Sequence, residues 1–316
     1  MIPSVVAADI RAALVEFLSS TFALADDEVR DELSRFLTDP ADGIFRGPYL
    51  RVRTPFRGVD RSWVSPLDWT PEGFVPYLHQ ATAFERLSSA GGRQPQPTLV
   101  TTGTGSGKTE CFLYPLLDHC ARERGAGRTG IKALILYPMN ALASDQAGRI
   151  ATLIHRNAAL AGLTAGLYVG DAGRHSQMGA DHLIDKREAL RENPPDILLT
   201  NYKMLDFLLL RREDRSLWAE NDPYTLRYLV LDEFHTYDGA QGSDVAMLLR
   251  RLGATLGMAG PAGPLGSAVP VATSATLGTG PDAVGQLCEF ASKVFGVDVG
   301  PDAVIGETRQ TVDEAC

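Results

Sequence analysis

One stretch of the chain carries residue types suited to gripping phosphate: Thr101-Thr102-Gly103-Thr104-Gly105-Ser106-Gly107-Lys108-Thr109-Glu110. The apolar run Thr98-Leu99-Val100 leads into it, and a helix-compatible segment, Cys111-Phe112-Leu113-Tyr114, follows. In a strand–turn–helix setting, glycines let successive backbone N–H groups converge on one anion, and the helix N-terminus adds the positive end of its dipole. Lys108 would reach the β- and γ-phosphates of a nucleotide, and the Thr109 hydroxyl would ligate Mg²⁺. Thr104, Gly105, Ser106, Gly107 and Glu110 complete the expected contacts. The first position of the strict G-x-x-x-x-G-K-T pattern is Thr102 rather than glycine.

A second constellation lies far downstream, where the apolar run Tyr228-Leu229-Val230-Leu231 ends in Asp232-Glu233-Phe234-His235. Two acids directly after a buried strand sit at the C-terminal edge of a parallel sheet, where ligands bind in such folds. Asp232 would hold Mg²⁺, and Glu233 would orient and deprotonate the water that attacks a γ-phosphate. A third candidate, Gln80, opens the helical segment from Pro76 to Leu87. An amide can meet both N6 and N7 of adenine, although a glutamine at a helix start is ordinarily only solvated.

The surrounding elements must place these groups together. Short apolar runs (Ala133 to Tyr137, Ala165 to Val169, Ile197 to Thr200, Tyr228 to Leu231, Val269 to Thr273) alternate with helical segments at Ala141 to Ala161, Asp181 to Arg191, Leu205 to Arg212, Asp244 to Leu256 and Asp282 to Phe295. That alternation predicts an α/β fold, a mostly parallel sheet with helices on both faces. Upstream, Val5 to Leu18 and Val29 to Leu37 have helical spacing, and Gly47 to Gly73 reads as an extended Pro- and Arg-bearing segment against a larger body. The expected division is an accessory segment (1–72), a nucleotide-binding domain (73–296) and a loosely held polar tail or linker (297–316).

Net charge is −9, so nucleic acid could be held only at a local site and not by the surface at large. Arg51, Arg53, Arg57 and Arg61 read better as solvated arginines on a strand edge, and Arg122, Arg124 and Arg128 as a solvated turn, than as a nucleic-acid grip. Four cysteines without C-x-x-C pairing suggest reduced thiols, and His155, His175 and His182 lack metal-ligand spacing. No apolar stretch approaches the ~20 residues of a membrane span, and Asp9 and Arg11 interrupt the N-terminal apolar segment, so a cytoplasmic location is expected.

Taken together, Thr-Gly-Thr-Gly-Ser-Gly-Lys-Thr, the upstream Gln80 and Asp232-Glu233-Phe234-His235 resemble superfamily 2 helicases and translocases of the DEAD/DEAH type, here in a D-E-F-H version. Tyr137-Pro138-Met139-Asn140-Ala141-Leu142 is similar to that family's motif Ia. Thr200-Asn201-Tyr202 falls where the next nucleic-acid motif lies, and Thr273-Ser274-Ala275-Thr276-Leu277 matches motif III. The resemblance covers about Phe74 to Leu277. It implies a RecA-like fold, ATP and Mg²⁺ as cofactors and adenine reading by Gln80. It also implies coupling of ATP state to strand movement through His235, Ser274 and Thr276, with the motif III strand between those of motifs I and II. Nucleic-acid contacts are implied near Pro138, Asn140, Gly170, Thr200, Asn201 and Lys203. Phe234 departs from the commoner Ala or Val.

Tyr137-Pro138-Met139-Asn140 and Thr236-Tyr237-Asp238-Gly239-Ala240-Gln241-Gly242 are more narrowly similar to bacterial Lhr- and MrfA-type DNA helicases, as is Gly47-Pro48-Tyr49-Leu50. Relatives of these serve in repair or in antiphage systems such as DISARM, which implies DNA, single-stranded or duplex, as substrate and defence or repair proteins as partners. A motor of this family needs a second RecA-like domain with an arginine finger. No Q-x-x-G-R-x-x-R-like run occurs here, so the expectation is an N-terminal piece completed in cis or in trans and poorly active alone. The alternative is a nucleotide-dependent binding module or scaffold that does not hydrolyse.

Overall fold

The computed structural model describes residues 3–22, 24–45, 53–170, 173–261, 263–275 and 282–315. The chain forms two compact units, Met1–Thr54 and Pro55–Cys316. In the first, helix α1 (Pro3–Thr21) packs against α2 (Asp27–Thr38). Asp26 caps α2, its carboxylate accepting from the N–H groups of Glu28 (2.9 Å) and Val29 (3.2 Å).

The second unit carries, in chain order, α3 (Leu78–Leu87), β1 (Thr98–Thr101), α4 (Lys108–Gly125), β2 (Ala133–Tyr137), α5 (Asn140–Arg156), β3 (Ala165–Tyr168), α6 (Arg187–Glu192), β4 (Ile197–Asn201), α7 (Tyr202–Leu210), β5 (Tyr228–Leu231), α8 (Gly239–Thr255), β6 (Val269–Ser274), α9 (Ala283–Phe295) and β7 (Val304–Gly306). The strands make one seven-stranded sheet in the order β3-β4-β2-β5-β6-β1-β7, every pair parallel. Strand β6 lies between β1 and β5, as the motif order implied.

The apolar runs read as fully buried strands are so for a visible reason. Along β2, Ala133, Ile135 and Tyr137 enter one core layer while Leu134 and Leu136 enter the other. Because all strands run the same way, the loops after β1, β2, β4, β5 and β6 open on one edge of the sheet.

Several expectations are corrected. The polar tail is not loose: Val304–Gly306 pairs with β1 (Leu99↔Val304, Thr101↔Gly306), and Ala303 and Ile305 are buried. Three residues are too few to show a period, yet they cover what would be an open edge beside the phosphate loop. Beyond them, Arg57 N–H donates to Thr308 O (2.9 Å) and Gln310 N–H to Pro55 O (2.9 Å), so residues from Pro55 onward belong to the larger unit. Asp181 to Arg191 is helical only from Arg187. Before it, Ile184 exchanges backbone hydrogen bonds with Ala165 and Leu167 and shields edge strand β3.

Arg122 and Arg124 lie in the last turn of α4 rather than in a turn of their own, while Arg124 and Arg128 are exposed as expected, and each of the three has an acidic partner. Arg122 meets Asp68 (2.6 Å) and Asp118 (3.0 Å), Arg124 meets Asp196 (3.5 Å) and Arg128 meets Glu123 (3.0 Å). Arg57 pairs with Glu314; Arg51 lies outside the described residues. Cys111, Cys120 and Cys288 are buried free thiols. Among the described residues no helix is long and apolar enough to cross a membrane.

Candidate nucleotide-binding site

Between β1 and α4 the loop 102–107 turns with Gly105 (φ 77°) and Gly107 (φ 78°) in the left-handed region, which favours glycine. A Cβ on Gly107 would also stand 2.3 Å from Gln80 Nε2. The threonine at the first loop position has a structural reason. Thr102 is buried and its hydroxyl lies 2.6 Å from Ser106 Oγ, which donates to Gly103 O (2.8 Å). Two hydroxyls thus tie the loop to itself, and the buried Ser106 side chain shapes the loop without facing the cavity. His79, buried and with its pKa lowered by desolvation, donates from Nε2 to Ser106 O (2.8 Å) and props the loop from below.

Over this loop opens a cavity of about 550 Å³. Thr104, Gly105, Gly107, Lys108 and Thr109 line its phosphate end, Glu233 its far wall, and Gln80 with Phe74, Val75 and Tyr77 the other end. Lys108 Nζ and Glu233 Oε2 are buried without a hydrogen-bond partner among the described residues, and Lys108 stands 3.9 Å from Glu233 Oε1. Buried charges are normally satisfied. A cation left open beside a glycine loop at a helix N-terminus fits a polyphosphate.

The acids are set by neighbouring strands. Asp232, one residue beyond β5, is buried, and this lifts its carboxyl above the ordinary value, against the lowering by a hydrogen bond from Thr273 and by Lys108. Thr273 on β6 donates its hydroxyl to Asp232 Oδ1 and accepts from the Glu233 N–H (3.2 Å), fixing both acids at once. The sequence reading passed over Thr273; the register Leu231↔Ala272 is what brings it beside Asp232. Glu233 has φ 50° and ψ 50°, the one positive φ outside glycine among the described residues. His235 Nδ1 lies 3.5 Å from Glu233 Oε2 and 3.3 Å from Ser274 Oγ, spanning the acid and the end of β6. Thr276 lies outside the described residues. The donor set of one carboxylate and the Thr109 hydroxyl suits a hard cation such as Mg²⁺ that takes its remaining ligands from phosphates and water.

Gln80 is buried rather than solvated: its Oε1 accepts from Tyr77 N–H (2.9 Å) and its Nε2 donates to Gly107 O (3.2 Å). Each atom keeps one lone pair or one N–H for a base. Arg149 of α5 also lines the cavity and was not foreseen, since an arginine on a long amphipathic helix looks like any solvated one.

At the same sheet edge, Asn140 begins α5 and Asn201 precedes α7. Asn201 Nδ2 donates to Asn140 Oδ1 (2.6 Å) while its Oδ1 caps Met204 N–H (2.8 Å). Two helix N-termini side by side favour an anion, with Pro138 half-buried and Asn140 exposed beside them. Thr200 is a correction: it is buried and its hydroxyl donates to Tyr168 O (2.6 Å), holding β4 to β3 instead of facing the edge.

A model of the DEAD/DEAH box helicase family matches residues 77–284. The chain is similar to the Druantia protein DruE of Escherichia coli (28% identical, covering 57% of this chain and 15% of that protein) and to the uncharacterized ATP-dependent helicase YprA of Bacillus subtilis (30%; 56% and 20%). Among solved structures it is similar to the DUF1998 helicase MrfA bound to DNA and AMPPNP, with 25% identity and a TM-score of 0.58, covering 79% of this chain and 30% of that one. It shares its fold with the DEAD-box helicase Mss116 bound to single-stranded RNA and UDP-BeF (18%, TM-score 0.53, 76% and 41%). The chain spans between 12% and 23% of the length of the curated relatives it matches. With its phosphate loop, paired acids and strand order arranged as described, the chain belongs to the DEAD/DEAH box helicase family.

Proposed function

We propose that this chain is the ATP-binding and hydrolysing half of a nucleic-acid motor. Lys108 and the loop amides hold the β- and γ-phosphates, and Thr109 and Asp232 would hold Mg²⁺, whose charge would neutralise the phosphate oxygens. Glu233 orients the attacking water and takes its proton, and His235 and Ser274, with Thr276, relay the state of Glu233 toward the end of β6. Gln80 reads the adenine edge. The observation that carries the reading is Glu233: its backbone is held in an uncommon conformation, and its carboxylate stands between the Lys108 ammonium and His235, with no hydrogen-bond partner to Oε2 among the described residues. A scaffold that only bound nucleotide would have no use for that placement.

DNA is the favoured substrate, supported by the likeness to MrfA, which was solved bound to DNA. Asn140 and Asn201 would grip phosphates at their helix N-termini, contacts that read no sequence and are compatible with a net charge of −9. A second RecA-like domain, in cis or in trans, would supply the arginine finger; repair or phage defence is the class of pathway the resemblance implies, and a cytoplasmic location goes with it.

ATP turnover measured with and without single-stranded DNA, on this chain and with a second motor domain present, tests the reading. Turnover should rise with DNA and fall at least about 100-fold in Glu233→Gln, while Lys108→Ala should lose nucleotide binding with the fold intact. Absence of DNA-stimulated turnover would favour a non-hydrolysing module, a Glu233→Gln variant as active as the parent would defeat the motor reading, and ATP affinity retained by Lys108→Ala in calorimetry would refute the phosphate-loop assignment.

A further inference from the structure

Glu110, in the first turn of α4, and Arg149, on α5, meet at the wall of the nucleotide cavity that both line. Arg149 donates to Glu110 Oε1. Glu110 Oε2 is buried and has no hydrogen-bond partner among the described residues. The same oxygen stands 3.1 Å, and Gln80 Nε2 2.3 Å, from where a Cβ on Gly107 would be. The open carboxylate oxygen therefore lies beside the amide assigned to the base.

An anionic acceptor so placed gains nothing from a polyphosphate, which offers it only like charge. It requires an N–H or O–H donor, because a buried charged acceptor left unmet is costly. In a nucleoside triphosphate only the nucleoside carries such donors, the exocyclic amine of the base and the ribose hydroxyls. The guanidinium across the other oxygen explains how an acid can sit this close to a phosphate loop: it cancels the charge the phosphates would otherwise feel.

We propose that Glu110 and Arg149 form a charge-paired recognition element for the nucleoside, Glu110 Oε2 accepting a hydrogen bond from it and Arg149 neutralising the carboxylate. Glu110 touches the ligand; Arg149 is a positioning residue. The proposal rests on the reading of this cavity as an ATP site.

Equilibrium binding of ATP, purine riboside triphosphate (no exocyclic amine), 2′-deoxy-ATP and 3′-deoxy-ATP is measured for the parent chain, Glu110→Ala, Arg149→Ala and the double variant Glu110→Gln/Arg149→Ala. The parent should bind one analogue roughly tenfold or more weakly than ATP. Glu110→Ala should erase that discrimination by weakening ATP and the two analogues that keep the donor while leaving the third unchanged, and the unchanged analogue identifies the donor. Arg149→Ala should weaken all four ligands alike, and Glu110→Gln in the same chain should restore most of the loss, which a merely structural role for Arg149 would not do. Discrimination that is absent from the parent, or that survives in Glu110→Ala, overturns the role of Glu110. A double variant no better than Arg149→Ala overturns the charge pairing. ATP binding by the parent that vanishes in Lys108→Ala keeps the ATP-site reading standing through either failure; no ATP binding by the parent ends both.

Discussion

The residue that concentrates most of the chemistry also stores strain. A left-handed backbone costs a non-glycine residue about 1 kcal/mol or more, and Glu233 meets that cost at φ 50°. Thr236 helps to hold the turn, its N–H (2.9 Å) and hydroxyl (2.8 Å) both donating to Glu233 O. Glu233→Gly should therefore be more stable than Glu233→Ala by about 1 kcal/mol in urea unfolding, although both lose the carboxylate; equal midpoints would show that the turn is not strained. Lys108, Asp232 and Glu233 were legible in sequence because glycine and acid at fixed offsets after apolar runs leave few other readings. Thr273 and Arg149 were not, because their roles exist only through strand register and helix packing. Thr102 was visible as a departure, but its reason, a hydroxyl pair with Ser106, needed the loop closed in space. Phe234 fills the variable third place of its motif for a similar reason: its ring stacks on Phe295 (5.6 Å between centroids, 10°) and packs on Phe290, anchoring α9.

At the scale of elements, the edge of the sheet opposite the site is pinned by a buried ion pair. Lys132, just before β2, and Asp196, just before β4, are both 1% exposed and 2.6 Å apart, and Asp196 also accepts from the Thr164 N–H and hydroxyl (2.8 Å each) ahead of β3. Removing one partner strands a buried charge, typically at 3–5 kcal/mol. Because Thr164 and Arg124 still face Asp196, Lys132→Met should cost about 3 kcal/mol, lowering the urea midpoint while ATP affinity per folded molecule is unchanged. An unaltered midpoint would mean that the pair is not a clamp.

Helix α4 carries a second such commitment. His119 is buried, with its Nδ1 hydrogen-bonded to Ser89 Oγ (2.8 Å) and its ring edge-on to Tyr228. Desolvation first, then Arg122 and other nearby cations, push its pKa from 6.5 to about 3. The folded chain thus refuses a proton that the unfolded chain binds, so stability is full above about pH 6.5 and falls as pH drops toward 3. Relative to His119→Gln, the parent should lose on the order of 2–3 kcal/mol between pH 7 and pH 4.5. Parallel stability curves for the two proteins would contradict this.

At the scale of the larger unit, the phosphate loop is held from both sides in the sequence. Ahead of it, α3 supplies His79 and Gln80, which hydrogen-bond the carbonyls of Ser106 and Gly107. Far behind it, β7 pairs with β1, Thr101 Oγ1 donates to Ile305 O (3.3 Å), and Glu307 Oε2 accepts from the Gly103 N–H (3.0 Å). Arg309 then lies over the Phe56 ring at 4.1 Å and bridges its backbone, closing residues 304–310 onto Pro55 and Arg57. Little of this closure is legible in the sequence, because the segment is short and polar while its partners lie some two hundred residues or more earlier. Its physical consequence is that β1 is an interior strand, and a loop hung from an interior strand is better fixed than one hung from an edge. A chain ended after Gly300 should therefore lose at least about 2 kcal/mol, from Ile305 alone by analogy with large core deletions. Its ATP affinity should fall further than the unfolded fraction explains, since Gly103 loses its acceptor. Restoring residues 301–316 as a separate peptide should recover both if the contact is specific; full ATP affinity in the shortened chain would show that the loop holds its shape without this support.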